Sequence, residues 1–174
     1  MFFKKYKEKA AYKILKKGLS ARSGGQGYGS AKVSSLACVV NLDEYGETET
    51  FKTLARDIGV RQENFRIIGF IPRKDANAFY GIPVLHEEEL GWRGEIRNGD
   101  YKALLEKPYD MLLSYYSKPN LLLGLATHQI KAAFKVGLAG EYEKENDFIM
   151  NISPDRFPEF REELIKYLTI LNKI

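Results

Sequence analysis

Residues able to ligate a metal ion or act as a nucleophile are few in this sequence. There are two histidines, His86 and His128, and one cysteine, Cys38, among 174 residues. His86 and Glu89 would share a helical face, but two ligands make a poor metal site, and an acidic run is more typical of a solvent-facing segment. The motifs G-x-S-x-G, H-E-x-x-H and C-x-x-C are absent. We therefore expect neither a bound metal nor a cofactor.

Glycines cluster at residues 24–29, where the sequence is GGQGYG. A phosphate-binding loop follows a strand and opens a helix, because backbone N–H groups at the helix N-terminus then meet the phosphate. Here the order is reversed, since a helix is predicted before the glycines and a strand after them. The lysine of a Walker motif is also missing, because Ser30 follows Gly29. We interpret residues 23–31 as a flexible linker.

Lysines dominate the first 17 residues. Tyr6, Ile14 and Leu15 recur between them at helical spacing, which predicts an amphipathic helix over residues 2–17 that ends at Gly18. Eight basic residues and one acid give residues 1–22 a net charge of +7, and because the whole chain carries +4, the remainder carries −3. The lysines are Lys4, Lys5, Lys7, Lys9, Lys13, Lys16 and Lys17.

Two interpretations of this basic helix are open from the sequence. In the first, the lysines contact an anionic partner, which is a membrane, RNA or an acidic protein. In the second, the helix is an ordinary surface helix whose apolar stripe packs on the rest of the chain. Because a glycine linker follows it, we expect that residues 1–22 form a separate arm that can be deleted without unfolding the remainder.

From residue 32 the pattern changes to strands that alternate with helices. Ser153 and Pro154 are typical of the N-cap and first position of a closing helix. The alternation predicts one α/β domain over residues 32–174, a three-layer Rossmann-like sandwich with a mostly parallel sheet of about five or six strands. Strands are expected at 33–41, 65–71, 82–85, 109–115, 134–138 and 147–152, with helices beginning near 47, 118 and 153.

Polar and charged residues follow these strands at their carboxyl ends. In an open parallel sheet, ligands bind beyond these ends, where the strand order changes direction. Arg73 and Lys118 are placed to contact an anion there, which suggests a phosphorylated or nucleotide-linked small molecule. The candidate ligand-binding residues are Asn41, Asp43, Arg73, Ser114, Tyr116, Lys118, Asn120, Gly137 and Gly140.

The compartment is predicted from what the sequence lacks. The first residues have no apolar h-region and no cleavage site of a secretory signal, and no apolar run reaches the roughly 20 residues of a membrane span. Cys38 lies in a predicted central strand, so we expect it to be buried and slow to react. A lone cysteine is typical of a reducing compartment. We expect a cytoplasmic protein.

Most of the chain resembles an uncharacterised bacterial family known only as a domain of unknown function. The resemblance implies no activity, because none is assigned to that family. The residues that carry it lie at 109–116, 118–121 and 134–137, with further likeness at 1–5, 146–147 and 168–173.

The stretch from Tyr109 to Gly137 is similar, more distantly, to the N-terminal lobe of heptosyltransferase-type glycosyltransferases. In those enzymes a Tyr-Asp pair opens an apolar strand, and a polar loop, an apolar helix and a K-x-x-x-K-V-G segment follow. Lys131, Lys135 and Val136 stand at the matching positions here. The resemblance implies a Rossmann-like fold, without the second lobe in which such enzymes mainly bind the sugar nucleotide.

Two functions follow as hypotheses. The first is a non-catalytic α/β binding or adaptor protein whose basic helix contacts an anionic partner. The second is an enzyme that acts on a phosphorylated or nucleotide-linked small molecule at the strand ends. The loops at Asp43, Arg73, Lys118 and Gly140 discriminate between them. Loops that converge on a pocket favour the enzyme, and loops filled by their own side chains favour the adaptor.

Overall fold

The computed structural model describes residues 2–21, 31–75, 77–140 and 142–174, so most of the predicted glycine linker lies outside the described residues. Within these ranges the chain forms six strands and five α-helices. The strands are β1 (Leu36–Asn41), β2 (Phe65–Phe70), β3 (Val84–Leu85), β4 (Tyr109–Tyr115), β5 (Ala132–Leu138) and β6 (Phe148–Met150). The helices are α1 (Phe2–Ala21), α2 (Glu49–Asp57), α3 (Gly99–Leu105), α4 (Leu121–Gln129) and α5 (Phe157–Ile170).

The strands form a single sheet in the order β3-β2-β1-β4-β5-β6, and every pair is parallel. From β1 the chain builds outward to β3, and from β4 it builds outward in the opposite direction to β6. The order therefore changes direction between β1 and β4, which is the arrangement of dinucleotide-binding Rossmann sheets. The predicted Rossmann-like α/β fold is confirmed, with a sheet that is parallel throughout.

Strand β1 is central because both of its faces are apolar. Leu36, Cys38 and Val40 face one side of the sheet, whereas Ala37 and Val39 face the other. Such uninterrupted apolar runs are typical of parallel strands covered on both faces. Cys38 is fully buried, as expected, and burial raises the pKa of its thiol far above the ordinary value.

Helices cover both faces of the sheet and complete the three layers. Phe51 and Leu54 of α2 pack with Phe160 and Leu164 of α5 in the core on one face. The core on the opposite face contains apolar side chains from α1, α3 and α4. They include Ala11, Leu15, Tyr101, Leu104, Leu122 and Leu123.

Helix α1 is part of this second core. Ala11 and Leu15 are completely buried, which for a leucine contributes about 1.5–3 kcal/mol. Gly94 has a positive φ of 80°, and a Cβ there would lie 2.7 Å from the backbone nitrogen of Ala11. This packing agrees with the second interpretation of the basic helix and not with an arm held apart from the body.

Helix α1 also continues beyond its predicted end. Gly18 lies within the helix and does not end it, and a Cβ on Gly18 would lie 1.9 Å from the His128 ring of α4. The glycine thus allows α1 and α4 to approach closely. Gly18 therefore marks a site of tight packing between two helices, and not the helix end that the sequence suggested.

Helix α5 starts at Phe157, so the predicted start at Ser153 is wrong. The backbone N–H of Arg156 donates to the Ser153 carbonyl (2.9 Å), which closes a turn ahead of the helix. The Ser153 hydroxyl donates to the Asp155 carboxylate and caps no helical N–H. Pro158 takes the position in the first helical turn that was expected for Pro154.

The segment between β2 and β4 contains the short strand expected at 82–85 and a helix, α3, that no periodicity indicated. Helix α3 begins after Asn98, whose side-chain oxygen accepts a hydrogen bond from the Tyr101 N–H (2.9 Å). Strand β3 is only two residues long and pairs with Gly69 and Phe70 of β2. Its shortness is consistent with Pro83 directly before it, since proline offers no N–H to a ladder.

Candidate functional site

The carboxyl ends of β1 and β4 meet where the strand order changes direction, which is the expected place for an anionic ligand. There the Glu44 carboxylate accepts hydrogen bonds from the Ser117 N–H (3.1 Å), the Ser117 hydroxyl (2.5 Å) and the Lys118 N–H (3.1 Å). The Asn41 side-chain amide donates to the same carboxylate (2.9 Å). The backbone donors of the β4–α4 loop, which would otherwise meet an anion, are therefore satisfied by the chain's own carboxylate.

Aromatic rings fill the neighbouring space behind Glu44. Tyr45 stacks on Phe157 with ring centroids 5.1 Å apart and an angle of 11°, and it meets Tyr115 edge-on at 5.5 Å. The Tyr115 hydroxyl donates to the Pro154 carbonyl (2.8 Å). These contacts hold the loop after β1 against α5, so little room for a ligand is left on this side.

Ser114 and Tyr116 are buried and bonded within the protein. Both hydroxyls lie within hydrogen-bond distance of the Thr127 hydroxyl, at 3.0 and 2.8 Å respectively. Lys135 Nζ donates to the Thr127 carbonyl (2.5 Å) below them. Burial raises the pKa of the Tyr116 phenol well above its ordinary value, so it stays protonated at neutral pH. This tyrosine bridges β4 to α4 and is not placed as a base.

The remaining candidates near β5 serve internal contacts. A Cβ on Gly137 would lie 2.2 Å from the Asn146 side chain, and one on Gly140 would lie 2.6 Å from the Ser117 carbonyl. Asn120 is the N-cap of α4 and accepts from the N–H groups of the first helical turn. Gly137 within β5 and Gly140 in the loop after it are therefore required for close packing.

A small void remains between β4 and β5. It has a volume of about 10 Å³ and is lined by Ser114, Tyr116 and Asn146 among others, which is at the lower limit for a single water molecule. Among the described residues, the Asn146 side-chain oxygen is buried without a hydrogen-bond partner. The void is far too small for an organic ligand.

Arg73 lies between two open cavities. One cavity, of about 490 Å³, lies past the ends of β1 and β2 and brings Arg73 together with Asp43, Thr48 and the ring of Phe79. The other, of about 480 Å³, lies between α1 and the start of α4 and includes Arg73, Lys4 and Asn120. Of the nine predicted ligand residues, only Asp43, Arg73 and Asn120 line these cavities.

Lysines on α1 have two different environments. Lys4 donates to Glu87 (2.8 Å), and the ammonium of Lys7 lies 5.5 Å from the centre of the Trp92 ring. The other five lysines are exposed, and within the described part of the chain none of them forms an ion pair. These five, Lys5, Lys9, Lys13, Lys16 and Lys17, are called the basic face below.

Exposed aromatic rings gather at the amino end of the same helix. Phe3 meets Trp92 edge-on with centroids 5.1 Å apart, and Tyr6 lies 6.3 Å from the same ring. Phe2 is 90% exposed, and Trp92 is 43% exposed. Phe2, Phe3, Tyr6 and Trp92 are called the aromatic patch below. Trp92 lies far from the other three residues in the sequence, so no local pattern could predict that its ring joins theirs.

The described part of the chain contains neither a membrane-spanning helix nor a cluster of metal ligands. No helix in ranges 2–21, 31–75, 77–140 and 142–174 is long and apolar enough to cross a membrane. Within the same ranges, no three side chains of His, Cys, Asp or Glu come together as a metal site. The absence of a metal or cofactor stays a prediction.

Comparison with known proteins identifies a family without an assigned activity. No curated protein and no solved structure matches this sequence, so the likeness of residues 109–137 to a glycosyltransferase lobe stays a prediction. The sequence model of a family of unknown function, DUF6913, matches residues 7–171, from the first turns of α1 past the end of α5. The chain belongs to this family of unknown function, as its resemblance to an uncharacterised domain implied.

Proposed function

We propose that the protein is a non-catalytic, cytoplasmic binding or adaptor protein that contacts an anionic partner through the basic face of α1. One observation carries this proposal. The apolar stripe of α1 is buried in the domain, and its five remaining lysines are displayed outward without ion pairs in the described structure. The helix is therefore held rigidly on the body with its charge available to a partner.

The electrostatic repulsion among the lysines of the basic face supports a binding role. Lys5, Lys9, Lys13 and Lys17 follow one another at four-residue intervals, and each like-charged i,i+4 pair destabilises a helix by about 0.2–0.5 kcal/mol. An anionic surface would remove this repulsion, and each lysine near such a surface contributes about 1 kcal/mol. The five lysines of the basic face would together provide strong, salt-sensitive binding, because these charges are exposed and screened by ions.

The carboxyl ends of the strands support a non-catalytic function. The loops at Asp43 and Lys118 are joined by Glu44, and the loop at Gly140 packs on Ser117. Side chains of the protein thus occupy the space between the loops at Asp43, Lys118 and Gly140. Open space borders the loop at Arg73, on one side together with Asp43 and on the other together with Asn120.

Retention on immobilised heparin, eluted with a sodium chloride gradient, tests this proposal. We expect the wild-type protein to elute late and the triple variant Lys9→Glu, Lys13→Glu, Lys16→Glu to elute in the flow-through. The matched control is Lys102→Glu, Lys131→Glu, Lys144→Glu, which makes the same charge change at exposed lysines off α1. If both variants lose retention equally, the effect depends on net charge alone, and the proposal that α1 carries the binding face is wrong.

The cavity at Arg73 supports a second candidate function, the binding of a phosphorylated or nucleotide-linked small molecule. Its lining combines the Arg73 guanidinium with the Phe79 ring, which is 95% exposed and available to stack on a base. Nucleotides and sugar phosphates should then raise the melting temperature of the wild type but not of Arg73→Ala. No shift with any of them at millimolar concentration would remove this candidate.

A further inference from the structure

We propose that the anionic partner is the surface of a phospholipid bilayer, which the basic face and the aromatic patch contact together. This inference rests on the proposed function, since it names the partner of the same helix. The observations behind it are the direction in which the side chains of α1 point, their order along the helix, and the kind of cation used.

The outward side chains of α1 lie along one line. A helix of 20 residues is about 30 Å long. At about 100° per residue, Phe2, Tyr6, Lys9, Lys13 and Lys16 fall within a sector of about 80° opposite the buried stripe. All five are exposed. Side chains in such a line reach a flat surface simultaneously, which suits a bilayer.

Aromatic and basic side chains are segregated along this line. On this line Phe2 and Tyr6 come first, and Lys9, Lys13 and Lys16 follow them. Aromatic rings settle at the level of lipid headgroups, and lysines are attracted to anionic lipids. The strength of binding at a bilayer increases with the apolar area that is buried and with the electrostatic attraction to anionic lipids. A single nucleic-acid strand instead favours aromatic and basic groups interleaved along one path, because bases and phosphates alternate.

The kind of cation also favours a diffuse anionic surface. Residues 2–21 contain seven lysines and no arginine. Arginine is preferred where phosphates are recognised by paired hydrogen bonds in fixed geometry, whereas lysine acts as a point charge. Lipid headgroups present many equivalent charges and require no fixed geometry.

The mode of attachment differs from that of a free amphipathic helix. Such helices insert their apolar stripe among the lipids, but here Ala11 and Leu15 are buried against the domain. The aromatic patch at the amino end is exposed and free to enter the headgroup region. The rest of the chain carries −3 against +7 for residues 1–22, so an anionic surface also orients the protein with α1 toward it.

Co-sedimentation with vesicles tests the inference. We expect binding to vesicles of phosphatidylcholine and phosphatidylglycerol (7:3), no binding to pure phosphatidylcholine, and loss of binding in 0.5 M salt. Lys9→Glu, Lys13→Glu, Lys16→Glu should weaken binding by about 100-fold or more, and the matched Lys102, Lys131, Lys144 variant should weaken it far less. Phe2→Ala, Phe3→Ala should weaken it by about tenfold. Ile170→Ala, which removes an apolar side chain that is 68% exposed on α5, should have no effect.

Trp92 provides a direct readout of the aromatic patch, because it is the only tryptophan in the chain. Its fluorescence should shift to the blue when anionic vesicles are added to the wild type, and not when polyuridylate is added. Vesicle binding without this shift, and unaffected by Phe2→Ala, Phe3→Ala, would overturn the role of the aromatic patch.

The outcomes separate the two proposals. Salt-sensitive binding to polyuridylate or heparin without binding to anionic vesicles would overturn the bilayer inference and leave the proposed function standing. Failure to bind vesicles, polyuridylate and heparin alike would overturn both.

Discussion

The outward face of α1 and the carboxyl end of the sheet are both rich in polar residues, but they differ in what those residues contact. At the sheet, Glu44 accepts hydrogen bonds from Ser117 and Lys118, and the hydroxyls of Ser114 and Tyr116 meet Thr127. On α1, the basic face has no such partners in the described structure. A polar residue that already has its partners stabilises the fold, whereas an exposed cation without one is available for binding.

The first prediction tests whether α1 belongs to the fold, and it has the largest expected effect. Leu15→Ala should lower the free energy of unfolding by about 3 kcal/mol, because it removes a fully buried side chain. Deletion of residues 1–21 should destabilise the domain further. Urea denaturation followed by circular dichroism measures both effects.

Tyr12→Ala is the control for this experiment, since Tyr12 lies on the same helix and is 56% exposed. It should change stability by less than about 0.5 kcal/mol. If the truncated protein melts at the same temperature as the full chain, the sequence-based interpretation of α1 as a separate arm is correct.

The second prediction tests whether Glu44 occupies an anion site. Glu44→Ala should lower the free energy of unfolding by about 1 kcal/mol, because it removes the acceptor of the partly buried Ser117 N–H and hydroxyl. Inorganic phosphate should then raise the melting temperature of the variant more than that of the wild type, since the freed donors can bind it. Glu47→Ala, at an exposed acid in the same loop, is the control. Equal responses of Glu44→Ala and wild type to phosphate would mean that no anion site lies beneath Glu44.

The third prediction concerns the aromatic filling behind Glu44. Tyr115→Phe should cost about 1 kcal/mol, because it removes the hydrogen bond to the Pro154 carbonyl and leaves the packing unchanged. Tyr167→Phe, at a ring that is 38% exposed, should be neutral. A stability of Tyr115→Phe equal to that of the wild type would show that this loop is held by ring packing alone.

The fourth prediction, with the smallest effect, concerns Asp110 at the amino end of the sheet, opposite the end at which Glu44 lies. Burial alone would raise the pKa of Asp110, but hydrogen bonds from Ser34 and Ser35 outweigh it, so the pKa is lowered below its ordinary value. A carboxylate with a lowered pKa contributes stability above its unfolded pKa, and this contribution is lost as the pH falls toward the folded value.

Asp110→Asn should therefore destabilise the protein at pH 7 and make less difference near pH 3. Thermal melting of both proteins across this pH range measures the effect. A constant difference between them at every pH would exclude the ionised carboxylate as its source.

The alternation of strands and helices shows how much of the fold the hydrophobic pattern of the sequence could predict. Apolar runs such as residues 36–40 and 109–115 alternate with helical periodicity, and a chain with that alternation has few stable solutions other than a parallel sheet covered on both faces. Helix α3 was missed because seven residues are too few to establish a period. The wrong start for α5 arose because Ser153 has the residue type of an N-cap, although its hydroxyl bonds to Asp155.

For the candidate site, the sequence could predict the location but not the contacts. Strand ends can be located from the sequence, but which donor meets which acceptor depends on loops brought together from distant positions. Glu44 and Ser117 are 73 residues apart, and no local pattern relates them. The same holds for the aromatic patch, since Trp92 joins Phe3 and Tyr6 only after the chain has folded.

Three properties could be predicted from the residues alone: the α/β class, the central position of the strand that contains Cys38, and the concentration of lysines on one helix. These properties depend on local composition and periodicity, which act over a few residues. The tertiary structure decided that α1 is docked, that Glu44 closes the crevice between β1 and β4, and that the basic face points outward beside Trp92. These features depend on contacts between residues far apart in the chain, and such contacts form only when the sheet and both helical layers are assembled.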